Sequence, residues 1–332
     1  MNIAVDAMGG DNAPFEVVKG VYDASLENSE IQITLIGDEN KINSCFEQLK
    51  VSKPENVTIV HTEVFVTMED DPMVVMREKN DSSMAVGLKM LKEGSVDAFV
   101  SAGSTGALHV ASSLIVRKIK GVRRSAIATV MPFGNGTLLL DAGANPTVTA
   151  DLLSQWAYIG SVYMERVFGI EKPRVGLLNN GTEECKGTPV AQEAYALLKS
   201  RQDINFIGNV ESKEIPNSPC DVLVTDGFTG NITLKFAEGL GGFIFSKLKT
   251  IFKTNAKTKL SYLLVKNQLK GIKTTFDASS YGGAPLLGLS KPVIKAHGSC
   301  KAENIACAIE QAISYSNSNI ISRVIEAVQN TK

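Results

Sequence analysis

The chain has 332 residues, 44% of them hydrophobic and 21% charged, with 34 Lys and Arg against 35 Asp and Glu for a net charge of −1. That length suits one large α/β unit, or two closely joined halves, with a sizeable core, and the balanced charge excludes a general nucleic-acid binder. No apolar run approaches the roughly 20 residues that cross a bilayer, and the opening MNIAVDAMGGDNAP has no basic n-region before an apolar stretch, so no signal peptide is expected.

In chain order, NIAVDA reads as a strand, MGGDNA as a glycine-rich turn, and Pro14 to Leu26 as a helix with proline in its first turn. IQITLIGD and VTIVHT are further strands. DAFVSA, GSTGA and LHVASSLIVRKI give strand, turn and helix. GTLLLDAGAN is a strand and turn before the long helix ADLLSQWAYIGSVYMERV. RVGLLN, the loop NGTEECKGTP and the helix VAQEAYALLKSR follow, then the strand INFIGNV. DVLVTDGFTGN leads to a helix from about Ile232, and KPVIKAHGSC to a last helix ending near Val328. Strands alternate with helices and are continuously apolar, as strands covered on both faces are. A parallel sheet between helix layers is expected. No linker marks a boundary, so residues 1–332 read as a single two-lobed unit.

In a parallel sheet the glycine-rich turns gather at the carboxyl ends of the strands, where such folds bind ligands. Each turn delivers backbone N–H groups at a helix start, where the dipole favours an anion, and glycine lets the backbone come close. The expectation is one amide-lined rim suited to an anion. A single strand–glycine–helix turn is an ordinary connection, but Gly103-Ser104-Thr105-Gly106, with two hydroxyls and two glycines, points to function. No turn matches G-x-x-x-x-G-K-[ST] or a clean G-x-G-x-x-G after a strand, which disfavours an NTPase or a dinucleotide enzyme. Gly239, Gly241 and Gly242 lie inside a helical pattern and read as a packing surface.

Among single residues, Asp6 and Asp11 can orient a base or a cation, or cap the next helix. Lys186, in the Gly-flanked loop GTEECKG, can meet phosphate oxygens or be an exposed loop lysine. Cys185 beside it has no local partner to make it a nucleophile. His297 ends a strand together with Lys295 and Ser299, as a site residue or a structural histidine. His61 and His109 are less well placed, and Arg77 and Lys79 extend a positive rim or solvate a helix. Five cysteines, at 45, 185, 220, 300 and 307, show no metal-ligand spacing and read as reduced thiols of a cytosolic protein. From Gly239 to Phe276 there is no acidic residue, while Lys247, Lys249, Lys253, Lys257, Lys259, Lys266, Lys270 and Lys273 alternate with Ile244, Phe245, Leu248, Ile251, Phe252, Leu260, Leu263 and Leu264. This span, 244–273, reads as an amphipathic helical hairpin joined near Thr254-Asn255. It can lie on an anionic membrane, dock an acidic protein, or form a core pair with a solvated lysine face.

VDAMGGDNAP, SAGSTGAL, LLNNGTEECKG, VTDGFTGN, SSYGGAPLLGL and KAHGS occur in that order across nearly the whole chain. In this set the chain resembles the bacterial phosphate acyltransferases of phospholipid synthesis, which make acyl phosphate from acyl-acyl carrier protein and inorganic phosphate. The resemblance implies a three-layer αβα fold with a mainly parallel sheet, similar to the phosphotransacetylase and isocitrate dehydrogenase group, with a protruding basic hairpin. It also implies a homodimer on the inner face of the cell membrane, no cofactor, and a product passed to a membrane acyl phosphate:glycerol-3-phosphate acyltransferase; no residue is assigned to a metal, and a metal requirement stays open. Asn12 stands where many relatives have His, and Cys300 where many have Ser; neither is assigned a role.

The implied chemistry suits the residues. Phosphate, with a second pKa of about 6 to 7, near that of phosphorylated side chains, is already largely a dianion at neutral pH. A thiolate leaving group of pKa about 8.5 needs little protonation. The site must then hold a dianion against a carbonyl and supply donors to the tetrahedral oxyanion. The expected catalytic residues are Lys186, Asp226, Asn231 and His297. Lys186 with the amides of Gly103 to Gly106 holds phosphate, Asn231 or amides near Gly230 face the oxyanion, and Asp226 and His297 orient groups or relay a proton. Asp6, Gly9, Gly10, Ser104, Thr105, Asn179, Gly181, Thr182, Glu183, Gly227 and Ser299 are expected to line the substrate site. The rival enzyme is a soluble phosphotransacetylase acting on short-chain acyl-CoA, which would not need the hairpin; the rival of another class is a membrane-docked scaffold.

Overall fold

The computed structural model describes residues 1–131, 133–134, 136–275 and 283–330, with the side chains of 267–275 and 328–330 outside the description. The first four motif residues of SSYGGAPLLGL, Ser279 to Gly282, and the side chains of Lys270 and Lys273 thus lie outside it. The strands are β1 (Asn2–Asp6), β2 (Gln32–Gly37), β3 (Val57–His61), β4 (Ala98–Ser101), β5 (Ala126–Met131), β6 (Thr137–Leu140), β7 (Arg174–Asn179), β8 (Asn205–Glu211), β9 (Val222–Val224), β10 (Ala284–Leu287) and β11 (Val293–Lys295). The helices are α1 (Phe15–Glu27), α2 (Glu39–Leu49), α3 (Ser83–Glu93), α4 (Thr105–Ala111), α5 (Ala150–Phe168), α6 (Pro189–Ser200), α7 (Gly227–Lys253), α8 (Ala256–Thr275), α9 (Ala302–Asn317) and α10 (Ile320–Asn330). Ser, Thr or Asp caps several of the helices that leave the sheet: Asp38, Ser82, Ser104, Thr149, Thr188 and Asp226 each accept a backbone N–H of the first turn, worth about 1 kcal/mol apiece.

The eleven strands among the described residues join one sheet in the order β3-β2-β1-β4-β11-β10-β5-β6-β9-β7-β8. Alternate residues of each strand feed separate cores. Ile3, Val5, Val100, Leu138, Leu140, Val222 and Val224 pack under α1, α2, α5, α6, α9 and α10. Ala4, Phe99, Leu139 and Leu223 pack under α3 and α4, with Leu234 and Ala237 of α7 against them. The sheet is therefore the middle of three layers, buried on both faces, which is why its strands read as unbroken apolar runs.

Seven of the ten strand pairings are parallel, and three, β11 with β10, β10 with β5 and β5 with β6, are antiparallel. The consequence is a reversal. β1, β2, β3, β4 and β11 run one way; β6, β7, β8 and β9 run the other. The single rim expected from the sequence is thus corrected to two rims, carried by strands of opposite sense. Two boundaries also differ. α7 begins at Gly227, five residues before Ile232, because Asp226 caps it there. The final helix is broken at Ser318–Asn319, where Asn319 takes a positive φ of 56°.

The first arm of the hairpin is a continuation of α7, which runs unbroken for 27 residues before the turn to α8 at Thr254–Asn255. Gly239 and Gly242 meet nothing within 4 Å at the position of a Cβ, so within the chain they pack against nothing, while Gly241 is buried.

Candidate active site

Rim one is built on Asp6, at the end of β1 and 2% exposed. Its carboxylate accepts the hydroxyls of Ser83 (2.6 Å) and Ser101 (2.7 Å) and the Met8 N–H (3.2 Å). Burial raises its pKa, against these hydrogen bonds and one from the Gly9 backbone. The turns are locked together. A Cβ on Gly9 would lie 2.7 Å from the Gly103 nitrogen, and one on Gly10, at φ +109°, 3.0 Å from the Gly298 carbonyl. The Asp11 N–H binds that same carbonyl at 2.8 Å. Lys295, 7% exposed, donates to the carbonyls of Ala102 and Ala296; burial lowers its pKa to about 8, opposed by Cys300, Asp6 and Asp11.

Most rim-one groups expected in the site have partners inside the fold. The Gly103 N–H donates to Ser101 Oγ at 3.1 Å, and Ser104 caps α4. Thr105 and Gly106 are exposed at the start of that helix. His297 is exposed and its Nδ1 lies 2.9 Å from Ser299 Oγ, while also accepting the Ser299 N–H at 3.3 Å. The acceptor role at Nδ1 leaves the ring proton on Nε2.

Rim two is built on Asp141, which follows β6 and is fully buried. Oδ1 accepts the N–H groups of Ile127, Gly143 and Ala144 at 3.0–3.1 Å; Oδ2 accepts the Asn145 N–H at 2.7 Å and its Nδ2 at 2.8 Å. The start of α7 seats on this knot. Gly227 donates to the Asn145 carbonyl at 2.8 Å. A Cβ on Gly230 would sit 2.0 Å from the Asp141 carbonyl oxygen, so only glycine allows this approach. Asp226 accepts both the N–H and the hydroxyl of Thr229, at 2.8 and 2.7 Å. It is a helix cap, bound up locally. Asp141 was not singled out in the sequence, although LDAGAN after β6 echoes VDAMGG after β1; that echo was the available signal.

Asn231, in the second turn of α7, brings its side-chain amide carbon 3.5 Å from the Cβ position of Gly143, and among the described residues its amide has no hydrogen-bond partner. Lys186 lies in the loop after β7. Its stem folds over Gly181, where a Cβ would meet Lys186 Cγ at 2.8 Å and Glu183 Oε2 at 3.0 Å. Asn179 closes the loop, donating to the Lys186 carbonyl at 3.2 Å and accepting the Asn180 N–H at 2.8 Å. Asn209 of β8 donates to the Glu183 carbonyl at 2.8 Å. Thr182, Glu183 and Lys186 are exposed, and among the described residues the Lys186 ammonium has no ion pair or hydrogen bond. β6, β9 and β7 are adjacent and parallel, about 5 Å apart. Lys186, Asp226 and Asn231 therefore share one end of the sheet, and His297 and Gly103 to Gly106 do not share it with them. Lys186 and the Gly103–Gly106 turn are thus carried by strands of opposite sense.

α4 joins the rims. It starts on rim one, and about 6 Å along its axis His109 donates from Nε2 to the Ser125 carbonyl at 3.3 Å. Asn145 Nδ2 donates to that same carbonyl at 2.9 Å. Burial lowers the His109 pKa, opposed by this hydrogen bond and the Asp141 charge. His109, passed over in the sequence, is a neutral strut between the two ends.

A family model described as "Fatty acid synthesis protein" matches residues 1–323. A protein of Thermoanaerobacterium thermosaccharolyticum named phosphate acyltransferase is 46% identical over 330 residues, covering 99% of this chain and 97% of that one. One of the same name from Oceanobacillus iheyensis is 48% identical, covering 94% and 92%. Among solved structures, a phosphotransacetylase from Streptococcus pyogenes superposes with a TM-score of 0.65 at 18% identity over 95% of this chain and 94% of that one. A branched-chain phosphotransacylase from Enterococcus faecalis gives 0.57 at 16% over 96% and 99%. The structural likeness concerns the fold.

Proposed function

The chain belongs to the family described as fatty acid synthesis protein, and from that premise we propose that it is a phosphate acyltransferase, moving a long-chain acyl group from acyl-acyl carrier protein to inorganic phosphate. The full-length likeness to proteins of that name supports the reaction. The observation that carries the site is that rim two holds, after neighbouring strands, an ammonium, Lys186, and an amide, Asn231, both unpartnered among the described residues.

Lys186 holds the phosphate dianion, helped by the positive end of α7. A phosphate oxygen attacks the thioester carbonyl. Asn231 donates to the oxyanion of the tetrahedral intermediate. The intermediate collapses by C–S cleavage, releasing the carrier thiolate, which takes a proton from water, and acyl phosphate. Asp226 acts by capping α7 and so placing Asn231. His297 and the rim-one turns face the arm and chain of the donor across α4. No covalent acyl-enzyme is required, since phosphate is already a nucleophile at neutral pH.

The test is acyl phosphate formation from long-chain acyl-carrier protein and phosphate. Wild type forms it, and Lys186→Ala lowers turnover on the order of 100-fold with a raised KM for phosphate. Near-normal turnover by Lys186→Ala would remove the lysine from the site. An acyl label that stays on denatured protein would remove direct attack. The short-chain phosphotransacetylase reading has only distant fold neighbours behind it.

No helix among the described residues is long and apolar enough to cross a membrane. α7 and α8 nevertheless expose Phe236 (70%), Leu260, Leu263 and Leu264 (77%) beside Lys247, Lys249, Lys253, Lys257 and Lys259. Apolar surface of this kind supports a homodimer through the α7 stripe from Phe228 to Phe243, and seating of the hairpin tip on the anionic inner face of the membrane. There a glycerol-3-phosphate acyltransferase can take up the product. Leu263→Glu with Leu264→Glu should abolish co-sedimentation with anionic vesicles; retained binding would exclude the tip.

A further inference from the structure

The segment between α4 and β5, residues 117–124, reads RKIKGVRR. Arg117, Lys118, Lys120, Arg123 and Arg124 are all exposed. We propose that this loop docks the carrier protein that presents the acyl thioester, through that protein's acidic surface. The proposal rests on the reading that the donor is acyl-carrier protein.

The loop is tied into the fold by hydrogen bonds along its length. Ile119 donates to the Gly288 carbonyl at 3.0 Å, Ser290 to the Arg117 carbonyl at 2.9 Å, and Arg117 to the Ser112 carbonyl at 3.0 Å. Arg124 donates to the Thr147 carbonyl at 3.0 Å, two residues past Asn145. The next carbonyl in the chain, that of Ser125, is the one shared by Asn145 and His109. The charges of Arg124 and Lys118 both oppose protonation of His109. The loop therefore borders both α4 and the Asp141 knot.

Its charge is not consumed inside the fold. Among the described residues its one ion pair is Arg123 with Asp151, at 2.7 Å. Lys118 binds the Arg123 carbonyl, which leaves its charge intact. Arg117 and Lys120 have no side-chain partner among the described residues. Arg117 also holds φ 73°, ψ 162°, a region that glycine enters freely and other residues enter at a strain found mostly at functional positions. A long cation stands where folding alone would favour glycine. In a chain of net charge −1, such a patch beside the Asp141 knot is complementary to an acidic protein and would speed its encounter. The hairpin lysines lie on α7 and α8, beyond the rim-two turns.

The test compares two donors with the same acyl chain: acyl-carrier protein, and acyl-pantetheine, which has the arm without the protein. Arg117→Glu with Lys120→Glu should raise KM for acyl-carrier protein about tenfold, more at low salt, with kcat and KM for acyl-pantetheine and phosphate unchanged. Lys257→Glu with Lys259→Glu should leave KM for acyl-carrier protein unchanged. An unaltered KM in the loop variant, an equal loss with acyl-pantetheine, or a loss in the hairpin variant instead overturns the dock. Wild type that makes acyl phosphate from acyl-pantetheine but not from carrier protein overturns the donor reading itself, and the dock with it.

Discussion

Each rim is organised by an aspartate buried at the end of a central strand, Asp6 on rim one and Asp141 on rim two, but the donors around them differ. Asp6 faces two hydroxyls, Ser83 and Ser101, and a few amides. Asp141 faces five N–H hydrogen bonds. A hydroxyl can turn from donor to acceptor; an N–H cannot. Rim one also ties its turns and most of its polar side chains to one another, whereas rim two leaves Lys186 and Asn231 without partners among the described residues. The lesson is that glycine-rich turns alone do not mark the reacting end of such a sheet. The groups that the fold leaves unsatisfied do.

The sharpest break of this comparison is Asp141→Asn. Its NH₂ would face donors that have nowhere to turn, and about 3–5 kcal/mol of stability should go, with activity. Asp6→Asn should cost about 1 kcal/mol, because Ser83 and Ser101 can accept from the new amide. Equal urea midpoints for the two variants would erase the distinction. Next in size, Asn231→Ala should lower kcat on the order of 100-fold with an unchanged melting temperature, while His297→Ala should lower it less than about tenfold. The reverse order would move the chemistry to rim one.

The joint between the rims answers to pH. His109 is neutral and buried, with a pKa below its ordinary 6.5. As pH falls past 6.5 the unfolded chain takes up this proton before the folded one, so the imidazole's contribution is complete above that value and is lost below it. His109→Gln, which keeps a donor for Ser125, should flatten the acid side of the stability curve. An identical acid slope by calorimetry would show that the strut does not titrate. The smallest effect lies far from both rims. Gly239→Ala and Gly242→Ala, into open space, should each stabilise α7 by about 0.5–1 kcal/mol; destabilisation would reveal close packing against a partner there.

Much of this architecture could be read from residues alone, because strands buried on both faces are uniformly apolar and NIAVDA, DAFVSA, RVGLLN and DVLV announce themselves. The direction of a strand leaves no such trace. AIATVM at 126–131 and APLL at 284–287 were passed over, and those two strands, pairing antiparallel, reverse the sheet. Hence one rim was expected where two exist. Lys186 and Asn231 were found through motif context, but their lack of partners is a three-dimensional fact. Asp226 looked chemical because a helix cap and a catalytic carboxylate have the same letter. Asp141 and His109 act through contacts remote in sequence, and the Arg117 loop gains meaning only from what lies beside it.

α7 has one more consequence. At 1.5 Å per residue, its 27 residues form a rod about 40 Å long, rooted at Asn231 and ending at an oily, cationic tip. Whatever seizes the tip fixes the attitude of the root. An enzyme pinned by that end would present rim two at a constant angle to the supporting layer, so that a nascent acyl phosphate, whose tail shuns water, would emerge facing that layer at a set height.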